Sequence, residues 1–350
     1  MKEKLVFLVS FNMYKGGSLA IYENIKKFIR LDKNLINITF NNKFKFDFNS
    51  KIEFKYPLKK FNIFYRLTIE QIFVFLYALF KKPELIVLLG NFPCLFWRGK
   101  QKVLFHNLLY LECLKNPRKF GIKLFCESKF WETCIRIVRP KIIVQTKYIK
   151  TTLIDFFNSP DLDIEILGAP IINYEGIINN KNISSYSNIK INNSFLNLFY
   201  PADFYPHKNH KFLFFCADIF LKYEMKVHLT IDEKLFKNIP NKEVFIFHKK
   251  ISKKDINYLY KNTNALIYPS LIESLGMPLL EVTEYQKSII AINMPYVGSA
   301  ISDYYIFQQN RFSLDMVLNK FKKDYLDGKN NIAKRNTNID AKIFYEKLIK

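Results

Sequence analysis

The chain is poor in several features that mark whole classes of protein. Its five cysteines are odd in number, and none forms a Cys-x-x-Cys or a Cys/His cluster with metal-ligand spacing, which argues against a disulfide framework or a zinc site. The longest apolar run, Ile72 to Phe80, is far shorter than the ~20 residues of a membrane-spanning helix. The run from Leu5 to Val9 has only the length of a buried strand, so a signal-peptide pattern is lacking. We expect a chain that is soluble or lies on a membrane, with free thiols in a reducing compartment.

Acidic residues are also scarce. The chain has 31 Asp and Glu against 54 Lys and Arg, a formal net charge of +23, and residues 1–150 hold 29 of the basic residues but only 10 of the acidic ones. Excess positive charge concentrated in one half predicts an anionic partner, either nucleic acid or an anionic membrane. No helix-turn-helix, zinc or RNP-type motif accompanies the charge, which disfavours a specific nucleic-acid partner.

The length and the pattern of the chain predict two α/β domains. A strand over 4–10, a loop at Gly16-Gly17-Ser18 and a helix over about 19–29 form a first βα unit, and strands and helices alternate from there. A polar stretch over 173–193 cannot build a core, and the alternation then restarts. We expect a Rossmann-like acceptor-binding domain over 1–175, a linker over 176–193 and a Rossmann-like nucleotide-sugar domain over 194–335. A helix over 336–350 would follow, with a return to the first domain as one option.

The most informative stretch runs from Glu273 to Glu281, directly after the predicted strand Ala265–Ser270. It holds Gly276, Pro278 and two leucines between two carboxylates and reads as the loop from a strand into a helix. The free N–H groups at such a helix start suit a phosphate, and the carboxylates can accept hydrogen bonds from sugar hydroxyls. Phosphate and sugar together indicate a nucleotide-sugar ligand.

This stretch closely resembles the Glu-x7-Glu signature of retaining glycosyltransferases of the GT-B fold, family 4 (glycosyl transferases group 1). The resemblance implies two Rossmann-like domains facing across a cleft. It assigns Glu273 to the donor sugar, Glu281 to the nucleotide ribose, and backbone N–H groups around Ser274, Leu275 and Gly276 to the diphosphate.

Further segments fit the same resemblance. The segment Tyr205-Pro206-His207-Lys208-Asn209 is similar to one whose Lys binds the donor diphosphate, so Lys208 would neutralise charge on the leaving nucleotide. Gly16 and Gly17, after the first strand, resemble the glycine loop near donor and acceptor. His106, after a strand of the first domain, would face the transferred sugar.

Two positions depart from the family pattern. Asp203 stands where many members have an Arg about five residues before the Lys, and His248-Lys249-Lys250 replaces a glycine-containing loop near the base. The first change predicts that one diphosphate-binding cation is missing or supplied from elsewhere. Both leave open a catalytically degenerate nucleotide-sugar-binding scaffold as an alternative.

The function that follows is a retaining hexosyltransferase without metal or cofactor, using a UDP- or GDP-sugar. No Asp-x-Asp motif is placed to bridge a diphosphate through a metal ion, and no enzymic nucleophile is evident. We therefore expect same-face attack by an acceptor hydroxyl, with the leaving phosphate taking the proton. Glycogen-phosphorylase-like and epimerase activities lack supporting motifs, and a basic nucleic-acid-binding protein is a weaker alternative.

The acceptor is expected to be a glycan or glycolipid of the lipopolysaccharide, capsule or O-antigen type. Basic residues of the first domain, interleaved with aromatic and aliphatic ones, suit an anionic membrane surface, where each contributes about 1 kcal/mol before screening. We expect a cytoplasmic protein, peripheral on the inner face of the cytoplasmic membrane. The basic residues concerned are Lys26, Lys27, Arg30, Lys59, Lys60, Arg66, Lys81, Lys82, Arg118, Lys119 and Lys123.

Overall fold

A computed structural model describes residues 5–11, 16–40, 52–54, 70–171, 189–336 and 339–350. The chain divides into two compact units. Unit 1 comprises residues 1–172 together with 337–350, and unit 2 comprises residues 173–336. The sequence analysis places the boundary at a linker over 176–193, a stretch of which only 189–193 are described, so the linker stays a prediction.

Unit 1 is built on a seven-stranded sheet in the order β3-β2-β1-β4-β5-β6-β7, in which every pair of neighbours is parallel. Buried parallel strands require apolar side chains on both faces, and β4 is buried along its whole length. The strands are β1 (Val6–Phe11), β2 (Leu35–Phe40), β3 (Ile52–Phe54), β4 (Leu85–Leu88), β5 (Lys100–Leu104), β6 (Lys141–Val144), β7 (Ile164–Ile166) and, outside the sheet, β8 (Pro170–Ile171).

Among the described residues of unit 1, five helices lie between these strands. They are α1 (Gly16–Leu31), α2 (Glu70–Lys81), α3 (Leu109–Lys115), α4 (Ile122–Val138) and α5 (Lys147–Phe157). Successive residues of β1 alternate between two cores. Val6 and Leu8 pack in the cluster that contains α1, while Phe7 and Val9 pack in the cluster that contains α2.

The C-terminal segment also belongs to unit 1. Strand β17 (Ile339–Asp340) pairs with β8, and the last helix, Ala341–Ile349, places Phe344 and Leu348 in the α1-side core. The Tyr345 hydroxyl donates a hydrogen bond of 2.9 Å to Asp32. The chain therefore closes the unit in which it began.

Unit 2 contains a six-stranded sheet in the order β11-β10-β9-β12-β13-β15, again with parallel neighbours. Its strands are β9 (Leu196–Tyr200), β10 (Met225–Leu229), β11 (Phe245–Phe247), β12 (Ala265–Tyr268), β13 (Ser288–Ile292) and β15 (Tyr305–Phe307), with a two-stranded ladder of β14 (Ile301–Ser302) and β16 (Lys334–Arg335). The helices in its described part, 189–336, are α6 (His210–Phe215), α7 (Ala217–Lys222), α8 (Lys253–Asn262), α9 (Met277–Thr283), α10 (Pro295–Ala300) and α11 (Arg311–Leu326), and the C-terminal helix Ala341–Ile349 is α12.

Two elements differ from the sequence prediction. The predicted loop at Gly16-Gly17-Ser18 is wrong, because α1 begins at Gly16; glycine is tolerated there since the first turn has no intrahelical partner for its N–H groups. The sequence also predicts a single helix over about 210–223, but in the structure it is interrupted at Cys216, whose backbone (φ −102°, ψ 15°) is not helical. The sequence also predicts a helix over 63–80; residues 70–81 form α2, and the predicted start at Ile63 lies outside the described residues. Within the described ranges, no helix combines the length and apolarity needed to cross a membrane.

Candidate active site

The predicted donor residues of unit 2 lie where the strand order of the sheet reverses. The chain runs outward from β9 to β10 and β11, then returns to the other side of β9 with β12. The loops that follow β9 and β12 therefore leave neighbouring strands in opposite directions, which opens a crevice at the carboxyl edge of the sheet. Lys208 lies in the first of these loops and Glu273 in the second.

Lys208 and Glu273, 65 positions apart in sequence, form a direct ion pair between Nζ and Oε1. The pair is largely shielded from water, with 19% of the Lys208 side chain and 14% of the Glu273 side chain exposed. Oε1 also accepts hydrogen bonds from the Tyr268 hydroxyl at 2.9 Å and from Ser270 Oγ at 2.7 Å. Within the described parts of the chain no donor is placed against Oε2, so this oxygen can accept a hydrogen bond from a ligand hydroxyl.

Buried tyrosines support this pair from the sheet side. Burial, and then the charge of Glu273, raises the pKa of Tyr268 well above its usual value, so its hydroxyl stays protonated and donates to the carboxylate. Burial likewise raises the pKa of Tyr200, whose hydroxyl donates to the Lys208 carbonyl at 2.8 Å. The Tyr296 hydroxyl donates to the Ser270 carbonyl at 2.6 Å. The charged residues are thus fixed by neutral donors that do not titrate near neutral pH.

Backbone contacts hold the two loops together. The Leu271 N–H donates to the His207 carbonyl at 2.8 Å, and Asn209 Nδ2 donates to the Pro269 carbonyl at 3.2 Å. Burial, and then the charge of Lys208, lowers the pKa of His207 to about 4, so this imidazole is neutral at pH 7. Lys208 and Glu273 consequently meet on a preformed scaffold.

Gly276 shapes the end of the second loop. It precedes α9 with φ 73° and ψ 65°, a left-handed conformation that glycine adopts without steric cost. A Cβ at this position would lie 2.9 Å from Leu279 Cδ1 and 3.4 Å from the Tyr268 ring. Glycine therefore allows this backbone conformation while Leu279 remains buried in the core.

Glu281, the second carboxylate of the motif, lies in α9. Its Oε1 pairs with Lys253 Nζ at 2.6 Å, and its Oε2 accepts from the Tyr260 hydroxyl at 2.9 Å. Lys253 is the first residue of α8, which begins with a capping box between Ser252 and Asp255. Because the Lys253 side chain is 49% exposed, this ion pair can open without loss of core packing.

In the loop after β11, where the sequence departs from the family pattern, His248 forms a pair with His228 of strand β10. Asn197 Nδ2 donates to the carbonyls of Asn192 and Phe195, so its Oδ1 accepts from His228 Nε2 at 2.9 Å. His228 Nδ1 must then accept from His248 Nε2 at 2.8 Å. Burial, and then the neighbouring His248, lowers the pKa of His228 to about 3, so the His228 imidazole is neutral at pH 7.

In unit 1, the predicted residues also follow strand ends. His106 comes after β5, and its backbone N–H donates to Asn91 Oδ1 at 2.7 Å, while Asn91 Nδ2 lies 3.4 Å from His106 Nε2. Asn91 follows the neighbouring strand β4 in a left-handed conformation (φ 73°). Gly16 and Gly17 form the start of α1 after β1. These positions share the carboxyl edge of the unit 1 sheet.

Residues that the sequence analysis did not select complete the unit 2 site. Tyr200 and Tyr268 are the last residues of the neighbouring strands β9 and β12, and a hydroxyl group at the carboxyl end of a buried strand was the available signal. Lys253 and Tyr260 had no such signal, because they reach Glu281 from a separate helix. Among the described residues, no group of three or more His, Cys, Asp or Glu is arranged to hold a metal ion.

Part of the chain matches a known protein family. Residues 190–336 match the sequence model of the family described as "Glycosyl transferases group 1". This range contains Lys208, Glu273 and Glu281. None of the curated proteins compared with the chain matches it.

Solved structures share the fold at low sequence identity. A glycosyltransferase from Rickettsia africae is 14% identical with a TM-score of 0.66, covering 100% of this chain and 94% of that one. HepE from Anabaena, in complex with UDP and glucose, is 11% identical with a TM-score of 0.67 and coverage of 99% and 98%. WaaG, a glycosyltransferase involved in lipopolysaccharide biosynthesis, is 13% identical with a TM-score of 0.66 and coverage of 90% of both chains. The predicted GT-B fold and the predicted glycosyltransferase class are confirmed; the assignment to family 4 stays a prediction.

Proposed function

Since residues 190–336 form a glycosyl transferases group 1 domain within a GT-B fold, we propose that the chain transfers a hexose-type sugar from a nucleoside-diphosphate sugar to a glycan hydroxyl. The observation that carries this proposal is the Lys208–Glu273 pair at the switch point of the unit 2 sheet, with Glu281 on the following helix. A cation, two carboxylates and the N–H groups of 274–276 supply a partner for each part of such a donor. Lys208 binds the diphosphate, Glu273 the sugar and Glu281 the ribose.

UDP and GDP are the candidate nucleotides. The HepE structures contain UDP, UDP-glucose, or UDP with glucose, which supports UDP as the first nucleotide to test. Lys253 would have to share Glu281 with the ribose or release it. The Glu281 carboxylate has enough lone pairs to accept from the Tyr260 hydroxyl and a ribose hydroxyl at the same time. Ribose binding therefore does not require loss of the Tyr260 hydrogen bond.

The transfer step is proposed to retain configuration at the anomeric carbon. The bond between that carbon and the phosphate oxygen breaks, the acceptor oxygen bonds to the same face, and the acceptor proton passes to the leaving phosphate. Lys208 stabilises the negative charge that develops on this phosphate, and no metal ion or cofactor is assigned a role. His106 is proposed to line the sugar side, as the sequence resemblance implies.

The acceptor is proposed to be a glycan or glycolipid of the lipopolysaccharide, capsule or O-antigen type. The role of WaaG in lipopolysaccharide biosynthesis supports an acceptor of this kind. A lipid-linked acceptor would require peripheral contact with the inner face of the cytoplasmic membrane. The positive charge of residues 1–150 suits such a surface if its lipids are anionic.

Thermal stabilisation by a panel of UDP-, GDP-, ADP- and CMP-sugars in EDTA tests the donor site. A ligand that binds only the folded state stabilises it by about 2.7 kcal/mol at a hundredfold excess over Kd. We expect a shift with one nucleotide class, its loss in Lys208→Met and Glu281→Gln, and its retention in Lys211→Met, an exposed lysine on the adjacent helix. No shift with any donor from folded wild-type protein would contradict the proposed donor site.

Transfer is tested separately with the donor so identified, a glycolipid acceptor and EDTA. NMR of the product reports the anomeric configuration, and inversion would refute the proposed same-face step. A glycosyl-enzyme adduct detected by mass spectrometry would refute it as well. Donor binding without turnover on any glycan acceptor would favour the degenerate scaffold, for which Asp203 in place of the family Arg is the specific reason.

A further inference from the structure

Helix α2 of unit 1 presents apolar side chains on two faces. Gln71, Val74 and Ala78 lie on its buried face, each at most 2% exposed. The other face, which we call the α2 outer face, consists of Ile72, Leu76, Leu79 and Phe80, with exposures of 48%, 56%, 48% and 76%. Their spacing of i, i+4, i+7 and i+8 places them on one stripe.

This composition is unusual for a helix at a water-exposed surface. Between Glu70 and Lys81 the helix has no charged residue; its amide side chain, Gln71, is buried, and Tyr77, with a hydroxyl group, is half-buried. A helix that is apolar all round is normally covered on every side. Phe96, itself 50% exposed, packs its ring 5.8 Å from that of Phe75 and extends the apolar surface beyond the helix.

Positive charge accompanies the stripe. Lys81 and Lys82 end the helix and are exposed, and Arg98 is exposed two residues after Phe96. Glu84 is the single acidic residue in the whole stretch 71–111, which contains five basic ones. An apolar face flanked by cations of this kind has the two attributes that hold a helix in the plane of an anionic bilayer surface.

We propose that the α2 outer face is the element that docks the protein on an anionic lipid bilayer, with Ile72, Leu76, Leu79 and Phe80 inserted at the boundary between headgroups and acyl chains. The helix has 12 residues and is therefore about 18 Å long, which suits an orientation parallel to the surface. Docking would bring unit 1 to a glycolipid acceptor, so the purpose of this surface rests on the proposed function.

A second copy of the chain is the competing occupant of this face. Self-association would bring two equally basic surfaces together, because residues 1–150 carry an excess of 19 positive charges. Like charges at such close range oppose association, whereas anionic headgroups attract the same surface. The charge pattern therefore favours lipid over a second copy.

Vesicle flotation tests the proposal. Wild-type protein is expected to float with phosphatidylcholine vesicles that contain phosphatidylglycerol, and to float less with pure phosphatidylcholine or at high salt. In Leu76→Gln/Phe80→Gln we expect the partition coefficient to fall by at least roughly tenfold, since two large apolar side chains no longer leave water. Both side chains are exposed in the folded protein, so the substitutions remove no core contact.

The matched control is Phe312→Gln/Met316→Gln, a pair with the same spacing on α11 of unit 2 and exposures of 74% and 57%. Its partition coefficient is expected to change by less than about twofold. Equal loss in both variants, or no flotation of the wild type at low salt, would overturn the proposal. So would light scattering that shows a wild-type dimer dissociated by Leu76→Gln/Phe80→Gln.

Donor-induced thermal stabilisation of the same variant separates this surface from the proposed function. We expect the Leu76→Gln/Phe80→Gln protein to respond to nucleotide-sugars as the wild type does, because the donor residues lie in unit 2. Flotation without any donor response would leave the docking surface standing and remove the proposed activity. A donor response without flotation of the wild type would support the proposed donor site and refute the docking surface.

Discussion

The ion pair between Lys208 and Glu273 allows a quantitative test of how the donor loops are held before any ligand binds. Both side chains are mostly buried, at 19% and 14% exposure. Removing one partner of a fully buried pair costs about 3–5 kcal/mol, because the other charge is left unpaired. In Lys208→Met, Glu273 keeps the hydrogen bonds from Tyr268 and Ser270, which reduces the expected loss in the free energy of unfolding to about 2 kcal/mol.

The reciprocal variant, Glu273→Gln, should cost a similar amount. Tyr268 and Ser270 can still donate to the amide oxygen, but Lys208 loses its carboxylate. In the double variant neither charge remains, so we expect a total loss of about 2 kcal/mol and not the sum of about 4. The coupling energy, about 2 kcal/mol, measures the pair itself.

Urea unfolding followed by far-UV circular dichroism gives these free energies. Both tryptophans, Trp97 and Trp131, lie in unit 1, so their fluorescence follows that unit alone and provides an internal control. Losses that add to within about 0.5 kcal/mol would refute the reasoning, because they would show that the two residues do not interact in solution. A shift in the tryptophan transition of the same size as that in circular dichroism would show that the effect is not local to unit 2.

Two further predictions concern the same unit. Gly276→Ala should lower the free energy of unfolding by about 1–3 kcal/mol in urea, because alanine is strained at φ 73° and its Cβ would press on Leu279; unchanged stability would contradict this reading of the loop. Burial lowers the pKa of His210 to about 4, so between pH 6.5 and 4 the unfolded chain binds a proton that the folded protein excludes, and stability falls as the pH falls. His210→Phe keeps a ring against Tyr200 and should reduce the fall in the free energy of unfolding between pH 7 and 4.5 by about 2 kcal/mol. If this free energy depended on pH in the same way in the wild type and the variant, the prediction would be refuted.

The sequence was sufficient for the fold class and for the elements that bear the donor residues. Apolar strands alternating with amphipathic helices specify parallel sheets, because buried parallel strands need apolar residues on both faces and their connections need helices. The segments around Lys208 and Glu273 could be assigned from local pattern, since a loop between strand and helix is encoded by consecutive residues. The start of α1 was missed because two glycines indicate a turn, although they are tolerated in a first helical turn.

Tertiary structure alone decided which side chains meet. Lys208 contacts Glu273 because β9 and β12 are neighbours in the sheet, and Lys253 reaches Glu281 from a different helix. The exposed stripe on α2 was equally invisible in sequence, where an uninterrupted apolar run reads as a wholly buried helix. Local pattern fixes the secondary structure of each segment, because backbone conformation and amphipathicity depend on near neighbours. The partners of a side chain depend on strand order and helix packing, which join residues far apart in the chain.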